Sequence, residues 1–286
     1  MIESAQRNKA DILLSLHTNG RLLILPNIWD PIGARILEAK GYPAIATASA
    51  AISASLGYED GEKIKLSTLI QIISRIARSV DTPVTADIES GYAQTISQLE
   101  ETILQVTDSG VVGINIEDSL QEGGALRSID EQCGRIEKIR DVSAHLGLHL
   151  VINARVDSFV SDIFTTKKSK MEEAILRAKA YSDAGADCIY PMGPGDIDTL
   201  KELRDRINAP INILATSNAT PLSVLQEIGI NRVSFGPFIF RSCLKKFENI
   251  VDALHNFKGY ECFGENMLSR IEVNNYLIHY PEEKNA

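Results

Sequence analysis

The chain has few cysteines, an excess of acidic over basic residues and no long apolar run, and each of these features excludes a class of protein. Its 286 residues include four cysteines, widely spaced and without a CxxC pair, which is typical of a reduced, cytoplasmic protein. The formal net charge is −9, which argues against a nucleic-acid partner. No apolar run reaches the roughly 20 residues of a membrane helix, and the N-terminal segment lacks the apolar core of a signal peptide. We therefore expect no membrane partner.

Two nucleotide-binding signatures are missing as well. The sequence has neither an early GxGxxG segment nor a GxxxxGK[ST] loop. This absence weakens the prediction of a dinucleotide-binding fold and leaves the order of strands and helices as the main evidence for the architecture.

Short, continuous apolar runs alternate with segments of helical periodicity along most of the chain. Continuous rather than alternating apolar residues are typical of buried parallel strands. Four glycines, Gly41, Gly110, Gly185 and Gly229, each close a helical segment just before such a run. The eight predicted strands are residues 22–25, 44–48, 83–87, 112–116, 148–153, 187–190, 211–214 and 232–235. They predict an α/β protein, a (β/α)8 TIM barrel forming a single domain over residues 1–286, with a doubly wound open sheet as the alternative.

Residues 242–286 form a predicted helical extension after the eighth strand. It contains two helical segments, 242–257 and 265–277, of which one completes the barrel and the other is surplus. From the residues alone, packing of the surplus helix on a partner subunit and packing on its own barrel are both open.

Carboxylates gather where the second, third and fourth strands end, at the face where barrel enzymes bind their substrates. Asp60 lies in the loop after the second strand, Asp87 and Glu89 in ADIESGY, and Glu117 in NIED. Like charges so close together repel unless a cation holds them, and oxygen donors suit Mg²⁺ or, alternatively, Mn²⁺. None of the five histidines falls at the C-terminal end of a predicted strand, so zinc is not expected. The alternative is that these acids cap helices or pair with surface lysines.

The fifth strand ends in NARVD, which places Arg155 at the same face. A guanidinium there can bind a substrate carboxylate or phosphonate with two hydrogen bonds. An ion pair with Glu117 or Asp157 is an alternative that is compatible with this role. Trp29 and Asp30, at the end of the first strand, are further candidate substrate-binding residues.

Five segments in order resemble those of the isocitrate lyase/phosphoenolpyruvate mutase superfamily: PNIWDPIGARI, ATASAAISASLGYED, ADIESGY, GINIED and NARVD. The resemblance implies a barrel whose last helix is swapped between subunits of a homodimer or homotetramer. It also implies Mg²⁺ bound directly by Asp87 and through water by Asp60, Glu89 and Glu117.

The same resemblance implies how a substrate binds. Backbone N–H groups at Ala48, Ser49 and Ala50 would contact a substrate oxygen, and Arg155 would bind its carboxylate. Members of the superfamily make or consume a pyruvate enolate, whose charge the metal and the arginine stabilise.

The segment after the fourth strand departs from the well-known members. Here it reads SLQEGGALRSIDEQ, without the KKCGH-like motif of the isocitrate-type lyases and without the lysine and asparagine of the phosphonate-forming mutases. Cys133 comes later and is predicted to lie on a helix rather than to act as acid or base. Gly123 and Gly124 predict a flexible lid, with a solvated turn as the alternative.

The favoured function is therefore a Mg²⁺-dependent carbon–carbon lyase or decarboxylase acting on a small 2-oxo or 2-hydroxy carboxylic acid. Arg155, Asp60 and Glu117 are the candidate catalytic residues. One alternative is the P–C chemistry of a phosphoenolpyruvate mutase or phosphonopyruvate hydrolase. A degenerate barrel that only binds a ligand is the non-enzymatic alternative.

Overall fold

A ring of short parallel strands forms the centre of the protein. The computed structural model describes residues 2–120, 124–263 and 267–277. All eight predicted strands are present, and a short strand that was not predicted, Asn27–Ile28, follows the first one after Pro26. The strands are β1 (Leu23–Leu25), β2 (Asn27–Ile28), β3 (Ile45–Thr47), β4 (Val84–Asp87), β5 (Gly113–Glu117), β6 (Val151–Val156), β7 (Cys188–Pro191), β8 (Asn212–Leu214) and β9 (Arg232–Ser234).

The pairing of the strands supports the barrel over the open sheet. Strands β2 to β7 pair in chain order as one parallel sheet, and β1, β9 and β8 pair as a second. Because β1 runs directly into β2, the two sheets are continuous on one side. On the other side a parallel bridge joins Ile189 to Ile211, and the Ile189 N–H donates to the Pro210 carbonyl at 2.8 Å. The strands thus close into a ring.

Helices surround the ring and alternate with its strands. The four glycines expected to end helices all have positive φ, between 78° and 108°, as the left-handed helix terminus requires. The helices are α1 (Ser4–Thr18), α2 (Pro31–Ala39), α3 (Ser49–Ser55), α4 (Leu66–Arg78), α5 (Ile96–Asp108), α6 (Ile129–His145), α7 (Lys167–Asp183), α8 (Ile197–Arg206), α9 (Leu222–Glu227), α10 (Phe238–His255) and α11 (Arg270–Leu277). No helix within the described part of the chain is both long and apolar enough to span a bilayer.

Helix α1 packs against the strands at the end of the ring opposite the predicted site. Leu13 is fully buried, and its side chain lies 2.7 Å from where a Cβ on Gly113 would stand, so this strand position has room for glycine only. His17, also on α1, is buried beside Arg232 of β9, with Nε2 3.5 Å from a guanidinium nitrogen. Burial and the nearby Arg232 lower the pKa of His17 to about 4.

The two C-terminal helices, α10 and α11, differ in how they pack against the rest of the chain. The extra helix expected from the sequence is present as α11 and packs on α2 of the same chain, where Arg35 Nη1 donates to the Tyr276 carbonyl at 3.1 Å. The first residues of the predicted segment, Glu265 and Asn266, lie outside the described residues. Helix α10 buries only Phe240 and exposes most of its remaining length to solvent.

Candidate active site

A cavity of about 270 Å³ opens at the carboxyl end of the strands, where the sequence predicts the site. Its walls come from the ends of seven strands and from the beginnings of α3 and α10. The lining residues are Asn27, Ala48, Ser49, Ala50, Asp60, Asp87, Asn115, Arg155, Tyr190, Met192, Leu214, Ser234, Gly236, Pro237, Phe238 and Arg241. The fold thus brings residues far apart in the chain to one small volume.

Asp87 occupies the wall of this cavity at the end of β4. Its Oδ2 accepts hydrogen bonds from the Ser49 N–H at 3.1 Å and from the Ser49 hydroxyl at 2.7 Å. Its Oδ1 has no hydrogen-bond partner among the described residues. One carboxylate oxygen is therefore held in place while the other remains available, an arrangement that suits the predicted direct metal ligand.

Glu89 lies behind Asp87 in a strained turn. Its φ is 52°, and Glu62 and Tyr92 beside it also have positive φ, a cluster of costly conformations of the kind found at functional sites. The carboxylate of Glu89 accepts from the Glu62 N–H at 2.5 Å and from the Tyr92 hydroxyl at 3.0 Å. Burial, with the charges of Asp87 and Asp60, raises the pKa of Glu89 to about 7.

Asp60 and Glu117 complete the acidic cluster. Burial and then the charge of Asp87 raise the pKa of Asp60. Burial raises the pKa of Glu117 to about 8, although Arg155 acts in the opposite direction. Burial is thus the main cause of both shifts, and the neighbouring carboxylates add to it.

The guanidinium of Arg155 is held by two carboxylates. Nη1 lies 2.7 Å from Glu117 Oε2, Nε donates to Asp157 Oδ1 at 2.6 Å, and Nη2 donates to Asp157 Oδ2 at 2.9 Å. The ion pairs that were considered as an alternative are thus both present. Each terminal nitrogen keeps a second N–H, so the group retains donors for a ligand.

A buried hydrogen-bond network holds Asp157 in place. Asp118 is fully buried and accepts from the Asp157 N–H at 3.0 Å, from Arg177 at 3.0 Å and from the Tyr181 hydroxyl at 2.8 Å. Ser119 donates its hydroxyl to Asp157. Because every partner is itself bonded, this network fixes the direction in which Arg155 points.

The residues present fit a hydrated Mg²⁺. Four carboxylates, Asp60, Asp87, Glu89 and Glu117, supply only oxygen donors, which suit Mg²⁺. Burial, and after it neighbouring carboxylates, raise the pKa values of Asp60, Glu89 and Glu117, and a divalent cation would favour the ionised form of all three. Within residues 2–120, 124–263 and 267–277, no three His, Cys, Asp or Glu side chains converge closely enough to ligate one ion directly. The direct contact of Asp87 and the water-mediated contacts of the other three carboxylates stay predictions.

The predicted substrate-binding residues divide into two groups. Ala48, Ser49 and Ala50 line the cavity, but the Ala48 N–H donates to the Ile28 carbonyl at 3.0 Å and the Ser49 N–H to Asp87. Of the three, Ala50 alone has an N–H without an acceptor among the described residues. The backbone contact with a substrate stays a prediction, with Ala50 as its best-placed donor.

Trp29 and Asp30 do not line the cavity. Asp30 caps α2 by accepting from the Gly33 N–H at 2.7 Å. The ring of Trp29 packs edge-on against Phe240, with centroids 4.9 Å apart. A direct substrate contact for either residue stays a prediction.

Tyr190 and Arg241 also line the cavity, although neither was among the candidate site residues. Tyr190 at the end of β7 is buried, and its hydroxyl has no partner among the described residues. Arg241 belongs to the first turn of α10. A tyrosine within an apolar run is typical of the core, and an arginine on a helix is typical of the surface. The local sequence pattern therefore assigns neither residue to the site.

The described residues on either side of residues 121–123 contact one another. Ser119 and Leu126 form an antiparallel bridge, and the Ser161 hydroxyl donates to the Gly124 carbonyl at 2.8 Å. Gly123 lies outside the described residues. Cys133 lies on α6 as predicted, and burial, with Glu137, raises the pKa of its thiol, so it is not an activated nucleophile.

Fold and cavity together define a (β/α)8 barrel whose mouth combines an oxygen-only acidic cluster with an oriented arginine. The family model described as phosphoenolpyruvate phosphomutase matches residues 13–255. The chain belongs to this family, which confirms the resemblance to the isocitrate lyase/phosphoenolpyruvate mutase superfamily.

Proteins with several different names are similar in sequence to this chain. An uncharacterised protein of Mycobacterium tuberculosis is 32% identical over 77% of this chain and 80% of its own length. A 2-methylisocitrate lyase of Aeropyrum pernix is 28% identical over 96% of this chain and 88% of its own. For an oxaloacetate decarboxylase of Pseudomonas entomophila the identity is 29%, over 77% of this chain and 75% of its own.

Solved structures share the whole fold. A candidate lyase/mutase of Burkholderia cenocepacia superimposes with a TM-score of 0.89 at 26% identity, covering 98% of both chains. A candidate phosphonomutase of the same organism gives a TM-score of 0.82 at 33% identity, over 86% of this chain and 99% of its own. A phosphonopyruvate hydrolase in complex with oxalate and Mg²⁺ gives 0.82 at 21% identity, over 94% of each chain. At 21% identity, the similarity to the hydrolase shows a shared fold and nothing more.

Proposed function

We propose that this protein is a Mg²⁺-dependent carbon–carbon lyase or decarboxylase that acts on a small 2-oxo or 2-hydroxy carboxylic acid through a pyruvate enolate. The observation that carries the proposal is the placement of Asp60, Asp87 and Arg155 on the wall of one small cavity, with Glu89 and Glu117 electrostatically coupled to them. The lyase and decarboxylase names of the relatives from Aeropyrum pernix and Pseudomonas entomophila support the reaction class.

Asp87 would hold Mg²⁺ directly, and Asp60, Glu89 and Glu117 would hold it through water; Mn²⁺ is the alternative ion. When bound, the ion supplies positive charge beside the oxygen on which negative charge develops. Arg155 binds and orients the substrate carboxylate and is itself kept in position by Asp157. The catalytic roles of Asp60 and Glu117 belong to the same proposal.

The segment after β5 favours C–C over P–C chemistry. It carries no lysine or asparagine between Asp118 and Cys133, and none of the described residues that line the cavity is a lysine or a histidine. A decarboxylation needs no proton donor from this segment, because carbon dioxide leaves without taking up a proton. The proton that the enolate finally takes up can come from water or from Tyr190.

A metal-dependent screen tests this proposal. Purified protein is incubated with 2-oxo, 2-hydroxy and phosphono acids, with Mg²⁺ or with EDTA, and pyruvate and inorganic phosphate are measured separately. We expect Mg²⁺-dependent pyruvate from a carboxylic acid without phosphate release. The Asp87→Asn variant should lose this activity, whereas Asp162→Asn, which removes an exposed carboxylate outside the cavity, should keep it.

Three outcomes of the screen would contradict the proposal. Full activity in EDTA would refute the metal requirement. Phosphate release, or conversion of a phosphonate to its phosphate ester, would favour the P–C alternative. A folded protein that binds these acids with Mg²⁺ but turns none of them over would favour the degenerate barrel.

We further propose that the protein is a homodimer or homotetramer. Helix α10 supports this assembly because Leu244, Phe247, Val251 and Leu254 recur on one of its faces and are 39% to 65% exposed. A continuous apolar face of this kind is typical of a subunit interface. Since α11 contacts α2 of its own chain, α10 is the better candidate for the swapped helix. A Phe247→Glu variant that sediments as a monomer would support this interface, and an unchanged oligomer would contradict it.

A cytoplasmic location also remains a proposal. Its support is that Cys133, Cys188 and Cys243 are all free thiols in the structure, as expected of a reducing compartment.

A further inference from the structure

We propose that Asn115 contacts the substrate and donates a hydrogen bond to the oxygen on which negative charge develops, with Arg232 as a positioning residue behind it. This inference rests on the proposed function, because it adds a residue to the same cavity. Both residues lie on barrel strands, Asn115 on β5 and Arg232 on β9.

Asn115 lies beside the predicted direct metal ligand. It pairs with Asp87 across β4 and β5 and with Asn153 across β5 and β6. Asn115 and Asp87 both line the cavity, whereas Asn153 is fully buried in the barrel interior. The side chain of Asn115 thus stands one strand away from the carboxylate that would hold the ion.

Two hydrogen bonds fix the orientation of the Asn115 amide. Its Oδ1 accepts from Asn153 Nδ2 at 2.7 Å and from Arg232 Nη2 at 3.1 Å. A guanidinium can only donate, so the atom of Asn115 that faces Arg232 must be the oxygen. The nitrogen of the amide is therefore turned away from Arg232.

This amide nitrogen remains available in the cavity. Asn115 is 7% exposed, and its Nδ2 has no acceptor among the described residues, yet it does not belong to the fully buried polar atoms that lack a partner. Its exposed surface faces the cavity that it lines. Asn27 on the same cavity wall differs, because its Nδ2 donates to the Thr47 carbonyl at 2.8 Å. Asn115 thus offers a rigidly held donor that the fold does not use.

Arg232 brings a positive charge to the oxygen side of this amide. It is fully buried and forms no ion pair with a residue that the structure describes. Its other side-chain neighbour is His17, whose pKa is lowered to about 4, so that the ring is neutral at pH 7. A cation that donates to the amide oxygen polarises the amide and strengthens its N–H groups as donors. The charge of Arg232 therefore acts on the cavity through Asn115.

The partner of this donor is a substrate oxygen rather than the hydration shell of the ion. Water molecules bound to a cation donate their protons outward and need acceptors, which the carboxylates supply and an N–H group does not. A substrate oxygen beside Asp87 can accept from Asn115. Because the hydrogen bond strengthens as charge grows on that oxygen, it favours the enolate over the bound substrate.

The test measures equilibrium binding to the Mg²⁺-loaded protein by calorimetry, with pyruvate measured in competition with oxalate. Oxalate carries a negative charge at both ends, whereas pyruvate has a neutral 2-oxo group beside its carboxylate. Asn115→Ala should weaken the binding of oxalate about thirtyfold and that of pyruvate about fivefold, since hydrogen bonds to charged acceptors are about twice as strong as those to neutral ones.

An isosteric variant separates the donor from the shape of the side chain. Asn115→Asp removes the N–H groups and keeps an oxygen for Arg232. It should weaken oxalate binding at least as much as Asn115→Ala, while neither the melting temperature nor the affinity for Mg²⁺ falls. Asn212→Ala is the matched control: it removes a fully buried asparagine from β8, outside the cavity lining, and should change neither ligand affinity.

A double-variant cycle tests the positioning role of Arg232. Arg232→Met should weaken oxalate binding about fivefold or more, and Asn115→Ala/Arg232→Met should lose no more than Asn115→Ala alone, because Arg232 acts through the amide. Arg232→Lys, which keeps the charge, should retain more of the affinity. It replaces Arg232→Met in the cycle if that variant does not fold.

Each level of the proposal has its own refutation. Unchanged oxalate affinity in Asn115→Ala and Asn115→Asp overturns the contact of Asn115 but leaves the lyase proposal standing. Equal losses for oxalate and pyruvate overturn the assignment to the developing charge. Additive losses in the cycle overturn the role of Arg232. Failure of the wild type to bind oxalate with Mg²⁺ overturns this inference and the lyase proposal together.

Discussion

Binding of Mg²⁺ at neutral pH should expel protons from the acidic cluster. In the metal-free protein the pKa of Glu89 is raised to about 7 and that of Glu117 to about 8, in both cases chiefly by burial. A divalent cation favours the ionised form of both carboxyls and returns their pKa values toward the ordinary range. The protons they carry at pH 7 must therefore leave when the ion binds.

The two pKa values set the size of the effect. At pH 7, Glu89 carries about half a proton and Glu117 about 0.9, so the release approaches about 1.4 protons. If the ion pair with Arg155 keeps Glu117 ionised, only about half a proton from Glu89 remains. We expect roughly one proton per ion at pH 7, and roughly 0.1 at pH 9, where both groups are already ionised. By linkage, affinity for Mg²⁺ rises with pH through this window and levels off at about pH 9.

Calorimetric titration of the metal-free protein with Mg²⁺, in two buffers of different ionisation enthalpy, measures this release. Glu89→Gln should reduce the proton count by about half a proton at pH 7 while binding persists through Asp87. Asp162→Asn, an exposed carboxyl outside the cluster, should leave the count unchanged. Binding enthalpies that are the same in both buffers at pH 7, or a release that grows with pH, would refute the reasoning.

Three further variants test the site and the barrel interior. Arg155→Lys keeps the charge but loses the planar fork that Asp157 orients, so kcat/KM should fall at least about thirtyfold, since losing a desolvated contact of this kind costs about 2–5 kcal/mol. Cys133→Ser, assayed beside it, should be nearly silent, and an equal loss in both would contradict the assignment of Cys133 to a structural helix. Tyr190→Phe removes the unpartnered hydroxyl and should lower kcat at least tenfold without changing the melting temperature, if that hydroxyl donates a proton; an unchanged kcat assigns the proton to water. Because the pKa of His17 is about 4 in the folded protein and about 6.5 in the unfolded chain, the wild type should lose up to about 3 kcal/mol relative to His17→Gln as the pH falls from about 6.5 to about 4. Urea unfolding of both proteins at several pH values measures this difference, and parallel stability curves would exclude the buried, neutral histidine.

The strand count and the order of elements could be predicted from the sequence because they depend on local patterns. Buried parallel strands appear as continuous apolar runs whatever surrounds them, and each of the eight runs became a strand. Gly41, Gly110, Gly185 and Gly229 marked helix ends because a positive φ is a property of a single residue. Helix α1 carried no such signal, since Leu13 and His17 are buried only once the ring exists.

Part of the site could be predicted for a related reason. In a barrel every parallel strand ends at the same face, so acids that follow strands must meet there. That rule places Asp60, Asp87 and Arg155 on one cavity wall. It does not extend to Asp30, which lies at the same face but is engaged in capping α2.

The sequence by itself determined the class of fold, the family and the oxygen-donor character of the site, because each of these follows from residue type and order along the chain. Tertiary structure alone decided how strongly the acids repel one another and that Ser49 holds one oxygen of Asp87. It also decided that two carboxylates, Glu117 and Asp157, neutralise Arg155. These properties depend on burial and on distances between residues that are far apart in the chain. The pKa of a side chain, and whether its charge is paired, can be derived only when its neighbours in space are known.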